Sequence, residues 1–285
     1  MHRLRIEHLT EYRFAAPVQL LPHRLMLRPR EGHNLRVLSS RLEIEPLPQL
    51  HWQRDPLDNS IAVASFQGPT SSLHILSEVL VEHYDEAPFN FVLEPYAATM
   101  PFQYSDLQLL DLTPFRGPSW PLDAAAVAGW IAAQGYGTGS HDTLSVLSSL
   151  NRAISNGFRY ETREEEGVQS PALTIARASG SCRDYAALFG DACRQLGFAS
   201  RFVSGYHTSY ANETGSGSTH AWAEVFLPGA GWKGFDPTAG VLTGGEHIAV
   251  AYAVHPESVP PVAGSYLGAA EPQPSLNVFV RVLAV

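Results

Sequence analysis

The chain has 285 residues, 45% hydrophobic and 16% charged, the balance of an ordinary globular protein, and its length is a prior for about two domains at roughly 150 residues each. Lys plus Arg number 19 against 28 Asp plus Glu, a formal net charge of −9, which argues against a broad phosphate-binding surface and so against nucleic acid as a partner. No apolar run reaches the roughly 18 residues that span a bilayer, and the opening Met-His-Arg-Leu-Arg-Ile-Glu-His lacks the apolar centre of a signal peptide, so the expected setting is the cytoplasm, away from membranes.

Residues 1–105 read as all-β. Leu4, Ile6 and His8 alternate with Arg3, Arg5 and Glu7, and Leu42 and Ile44 alternate with Arg41, Glu43 and Glu45. Further short β-type runs begin at Ile61 and Val79, and Pro-, Gly- and Asn-rich turns at 29–34, 55–59 and 68–70 separate them. Such strands suggest a sandwich-like N-terminal domain. Its histidines (His23, His33, His51, His74 and His83) are scattered without ligand spacing and read as surface or strand residues.

Residues 95–120 carry Pro95, Pro101, Pro114 and Pro118 and read as a surface connector to a second domain, 106–285. Two helices are then expected: Asp123–Gln134, and Thr143–Asn156 with Leu144, Leu147, Leu150 and Ile154 on one face. The charge run from Glu161 to Gly167 reads as a solvated loop. A short helix with Pro171 at its first position follows and delivers the chain to Gly180-Ser-Cys-Arg-Asp.

That pentapeptide starts a helix with a thiol at its tip. Ser181 and Asp184 fit the S-x-x-D capping pattern, placing Cys182 at the first helical position. Free backbone N–H groups and the positive end of the helix dipole meet there, so a thiolate is stabilised and the thiol should act as a nucleophile near neutral pH. Arg183 acts in the same direction and Asp184 opposes it. Ala186, Phe189, Cys193 and Leu196 form an apolar stripe, and Gly197 fits the stop. Cys193 reads as core filling. On one helix the two cysteines stand about 16 Å apart, too far for a disulfide.

Strands are expected at 200–206, 219–227 and 232–236, the last two joined by the turn Pro228-Gly-Ala-Gly231 as a hairpin, and a final strand at Asn277–Leu283. The polar, Gly-rich stretch 208–218 reads as a surface loop and a candidate lid. His220 opens the strand after that loop, and Asp236 closes the partner strand, so the hairpin brings base and carboxylate together. Cysteine, histidine and aspartate in the order helix, strand, strand is the arrangement a thiol acyl-transfer site requires.

Four blocks carry a resemblance: Gly-Ser-Cys182-Arg-Asp-Tyr-Ala-Ala-Leu, Phe-Val-Ser-Gly-Tyr-His207, His220-Ala-Trp-Ala-Glu-Val-Phe-Leu-Pro-Gly-Ala-Gly-Trp, and Phe-Asp236-Pro-Thr. They resemble the transglutaminase-like superfamily, in particular its bacterial members with a β-rich N-terminal region. The resemblance implies an α+β fold, a sandwich-like first domain followed by a papain-like core with the Cys helix on an antiparallel sheet. It implies Cys182 as nucleophile, His220 as base and Asp236 as orienter. Where relatives carry Gly-Arg-Asp before a Pro-Val-x-Gly segment, this chain has Tyr252-Ala-Val254 and then Pro260-Pro-Val-Ala-Gly264.

The expected chemistry is attack of Cys182 on an amide or ester carbonyl, with a thioester intermediate and no cofactor. The Cys182 N–H is the first oxyanion donor and Tyr160 the candidate second. Trp222 either shields the thioester, stacks on substrate or belongs to the core. The substrate is a peptide, a protein or a small amide; with no acidic amine-binding cluster apparent, hydrolysis is set ahead of transamidation. Two rivals stay open. One is a metal site from Cys182, His207 and His220, with or without Asp236, which lacks a close ligand pair and is set behind. The other is a non-catalytic peptide-binding scaffold with a relic triad. No EF-hand-like run supports calcium.

Overall fold

The protein is described by a computed structural model covering residues 2–84, 89–163, 165–208, 218–268 and 273–285. Its N-terminal part is built on one long strand, His2–Leu20. Leu4, Ile6, His8 and Thr10 are buried while Arg3 and Arg5 face outward, the period-two pattern read from the sequence. This strand pairs antiparallel with Pro69–His83, which in turn pairs with Leu35–Glu45. A second sheet joins Val262–Ala263, His23–Leu25, Ser60–Ser65 and Gln49–Arg54 in that order. Leu20, Leu25, Ile44, Ala62, Ala64, Leu73 and Ile75 fill one core shared by strands of the two sheets, so the expected sandwich forms.

The chain's end returns to its beginning. Ser275–Ala284 pairs with His2–Leu20 over ten residues, from Leu4↔Ala284 to Arg13↔Ser275. Tyr266–Leu267 adds to the same strand and Val262–Ala263 to His23–Leu25. These segments lie in the N-terminal sheets although they follow the division near residue 105 in sequence.

The second sheet system has the order Val241–Leu242, Gly231–Asp236, Ser218–Leu227, Ser200–His207, His247–Ala253, all antiparallel. The helix Cys182–Gln195 packs on it through Tyr185, Leu188, Phe189, Ala192 and Cys193 against Ala223, Val225, Leu227 and Phe235. Sequence periodicity suggested one apolar stripe on this helix. Instead every residue from Asp184 to Arg194 is buried. The charged members are paired inside: Asp191 accepts from Arg194, and Arg194 also donates to the carbonyls of Ser200 and Val254. Gly197, at φ +94°, closes the helix, with Phe198 N–H on the Cys193 carbonyl and Gly197 N–H on that of Arg194.

The helices Ala124–Ala133, Thr143–Gly157 and Pro171–Arg177 stand where expected. The connector does not. Within 95–120, Ser105 and Gln108 form a capping box that starts a helix, Asp106–Leu112. Tyr104, Leu112 and Phe115 are buried against Ala199, and the Tyr104 hydroxyl donates to the Phe226 carbonyl and accepts the Ala199 N–H, each at 2.9 Å. That segment is part of the core beside the sheet, not a surface tether. Among the described residues no helix is long and apolar enough to cross a membrane.

The N-terminal sheet also supports the second one. Leu4, Ile6, Val79 and Val81 pack in one cluster with Phe202, Tyr206, Ala221, Ile248 and Val250. His8 Nδ1 lies 3.0 Å from the Tyr206 hydroxyl, and the Asn59 amide both donates to the Tyr252 carbonyl and accepts its N–H at 2.8 Å.

Candidate active site

Cys182 is the first residue of its helix and is partly exposed. The tip is held by Asp184, whose side chain is fully buried. One carboxylate oxygen accepts the Ser181 N–H and hydroxyl, each at 2.8 Å. The other accepts the Gln169 N–H at 2.7 Å, and Arg163 donates to both, at 2.8 and 3.0 Å. Burial alone would raise the Asp184 pKa; hydrogen bonds from Ser181, Gln169 and Arg163 outweigh it and hold the carboxyl below its usual range. The loop after Tyr160, read as solvated, is therefore in part structural: the Arg163 side chain is only 13% exposed. Its charge compensates the Asp184 carboxylate beside the thiol.

His220 stands opposite Gly205 and His207 opposite His247 in neighbouring strand pairs, which collects three imidazoles at one end of the sheet. His220 Nε2 is 2.8 Å from Asp236 Oδ2, and the same ring hydrogen-bonds Cys182. His220 thus stands between the sulfur and the carboxylate, as a partner of both. Asp236 Oδ1 accepts the Thr238 N–H at 2.8 Å. Burial by itself would lower the His220 pKa; the hydrogen bonds and charges of Asp236 and Cys182 reverse this and lift it to about 10. Burial would raise Asp236, but His220 and His247 together hold it far below the usual carboxylate range. At neutral pH the centre therefore holds an imidazolium on a carboxylate, facing sulfur. Cys193 differs: it is wholly buried, and burial pushes its thiol up.

A fourth residue went unread in the sequence. His247 Nε2 lies 3.1 Å from the same Asp236 oxygen. Its Nδ1 accepts the Gly244 N–H at 3.3 Å, so the ring proton sits on Nε2 and is donated to Asp236. A partial signal was present: Gly244-Gly-Glu246 followed by His-Ile-Ala-Val-Ala-Tyr-Ala, a turn and then a strand-like run opening on histidine. His207 packs edge-on to His247 with ring centroids 4.5 Å apart, and burial first, then the neighbouring His247 and His220, lower its pKa to about 4.

Trp222 belongs to the interior. It is 2% exposed and packs beside His220 and His247, with ring centroids at 6.2 and 5.2 Å, so it presents no face to a substrate. Tyr160 is half exposed, with its ring edge-on to Tyr185. Its strand, Arg159–Tyr160, runs parallel to Ser179–Gly180, two residues before Cys182. That places it beside the helix tip. Most of the candidate lid, residues 209–217, lies outside the described residues.

Residues 131–237 match the model of the transglutaminase-like superfamily, and residues 4–82 that of the bacterial transglutaminase-like N-terminal region. The two matched regions are therefore similar to a bacterial transglutaminase-like N-terminal region and to a transglutaminase-like core. The chain is also similar to uncharacterized proteins of Mycobacterium tuberculosis, at 29% identity over 92% of this chain and 87% of the relative, and of Mycobacterium leprae, at 25% over 94% of each. A candidate cysteine protease from Cytophaga hutchinsonii shares the fold across 100% of this chain and 91% of its own, with a TM-score of 0.78 at 17% identity.

Proposed function

We propose that the protein is a cysteine-dependent acyl-transfer enzyme acting on amide bonds, with Cys182 as nucleophile, His220 as acid and base, and Asp236 as orienter. The observation that supports this best is the position of His220, joined to Cys182 on one side and 2.8 Å from Asp236 Oδ2 on the other. The sulfur attacks the carbonyl carbon, and the oxyanion forms at the helix tip, beside the Cys182 N–H. The imidazolium passes its proton to the leaving amine as the C–N bond breaks, leaving a thioester and a neutral ring. That ring takes a proton from water, whose oxygen attacks the thioester, and the sulfur leaves as thiolate. If a primary amine replaces water, the product is a new amide. Hydrolysis of a peptide, protein or small amide in the cytoplasm is the reading we place first, with Tyr160 as candidate second oxyanion donor.

The test is mass spectrometry of peptide libraries incubated with the wild type and with Cys182→Ala, with and without a primary amine. Cleaved or deamidated products that require Cys182 support hydrolysis. Amine adducts that require it support transfer. The same peptides left unchanged by both proteins would sink the enzyme reading in favour of a binding module.

A further inference from the structure

We propose that His207, Asp236 and His247 bind a divalent cation of the Zn2+ class, and that an ion held there silences the thiol site by taking the Asp236 carboxylate from His220. The three residues each offer a ligand atom, and these atoms all lie within 4.8 Å of one another. All three are buried, at 4%, 0% and 8% exposure. They come from separate segments: the end of Ser200–His207, the end of Gly231–Asp236 and the start of His247–Ala253. Strand pairing sets His207 directly opposite His247. The cluster is thus built into the sheet rather than gathered by surface side chains.

Two imidazoles and one carboxylate form a nitrogen and oxygen donor set suited to zinc, which binds at about 2.0–2.2 Å with a fourth position for water or another carboxylate. The Glu246 carboxylate stands beside His207, outside the three-residue group. Its Oε2 lies 3.8 Å from His207 Nε2, and its side chain is 62% exposed, so it marks the open side of the cluster. Tetrahedral ligands at those bond lengths stand about 3.3 Å apart, so atoms that now lie up to 4.8 Å apart must close by up to about 1.5 Å. At His247 the ring proton moves from Nε2 to Nδ1, and the 3.3 Å bond from Gly244 N–H is given up.

The consequence follows from Asp236 having only two oxygens. Oδ1 is held by the Thr238 N–H, and Oδ2 is shared by His220 and His247. An ion on Oδ2 competes directly with the His220 hydrogen bond and puts positive charge beside an imidazolium. The site itself does not depend on the acyl-transfer reading; its inhibitory effect does.

The rival is zinc held by the thiol and His220, and the experiment separates the two. Cys182→Ala is titrated calorimetrically with Zn2+, and the wild type is loaded with Co2+ and its absorption recorded. The expected result is one Zn2+ per Cys182→Ala chain, and cobalt d–d bands without a thiolate charge-transfer band. Adding His207→Phe to Cys182→Ala keeps a ring against His247 and should weaken Zn2+ binding by at least the roughly 10–100-fold that loss of even an outer partner costs. His207→Gln serves if the Phe variant does not fold. In the wild type, Zn2+ should block turnover and a chelator restore it, with the half-inhibiting concentration raised by the same factor in the His207 variant. Binding lost in Cys182→Ala, a thiolate band with Co2+, or binding unmoved by both His207 variants would overturn the proposal. Binding as described in a protein with no amide turnover would uphold the site and remove its inhibitory role along with the enzyme reading.

Discussion

His247 donates its Nε2–H to Asp236 at 3.1 Å, on the same carboxylate oxygen that receives His220. The orienting carboxylate is thus itself held by a second imidazole. A hydrogen bond to a charged group contributes about 1.5–3 kcal/mol, and each 1.36 kcal/mol is about tenfold in rate. His247→Ala should lower kcat by roughly 10–100-fold with little change in KM, since the residue acts through Asp236 and not on substrate. His247→Gln, which keeps a side-chain donor, should recover part of the loss. Steady-state kinetics of the three proteins checks this; a change confined to KM would contradict it.

The Arg163–Asp184 pair anchors the helix tip from the loop before it. Removing one partner of a buried pair strands the other charge and typically costs about 3–5 kcal/mol. Asp184→Asn should fall in that range, because Arg163 is then left largely buried and uncompensated. Arg163→Met should cost less, because Asp184 keeps the Ser181 and Gln169 donors. Urea unfolding with an unchanged m-value is the measurement; equal costs would contradict the ranking.

Gly205 leaves no room for a side chain. A Cβ there would stand 2.3 Å from the Ile248 carbonyl oxygen and 2.7 Å from the Trp222 ring. Gly205→Ala should destabilise by about 1–3 kcal/mol, the usual cost of overpacking, and should lower kcat because the displaced ring packs beside His220. Thermal unfolding and kcat on the same preparation check both; a neutral substitution would contradict the packing.

Buried histidines set opposite pH limbs of stability: His8 and His207, both lowered to about 4, on the acid side, and His220 on the alkaline side. Burial lowers His8 from 6.5 to about 4, so between those values the unfolded chain binds a proton that the folded one does not, and stability falls as pH falls. His220 is raised from 6.5 to about 10, so its contribution is complete below 6.5 and is lost as pH rises through about 10. From these groups stability should peak near pH 6.5. In unfolding curves across pH, His220→Gln should flatten the alkaline limb and leave the acid limb; loss of the acid limb instead would contradict the assignment.

The sequence revealed those parts of the site that local rules control. Cys182 was legible because Ser181, Asp184 and Gly197 mark the ends of one helix, and His220 and Asp236 because a short turn joins their strands. His247 was legible only as the start of a strand, because its place beside Asp236 comes from pairing with His207 across a strand crossover, which nothing local reports. Arg163 sat in an acidic run whose polarity suggested solvent, and only the fold delivers it to Asp184. The connector was misread from its prolines, although Ser105 and Gln108 spelled out a capping box. The final strand was legible from Val278, Val280 and Val282, but its partner, the first strand, was not.

The most direct measurement of the central claim, that His220 turns Cys182 into the reactive thiol, is alkylation by iodoacetamide below neutral pH, followed by peptide mapping of the wild type and His220→Ala. The expected result is modification at Cys182 and not at Cys193, slowed at least about tenfold when the imidazole is removed. Equal rates in the two proteins, or a Cys182 no faster than the buried Cys193, would contradict it.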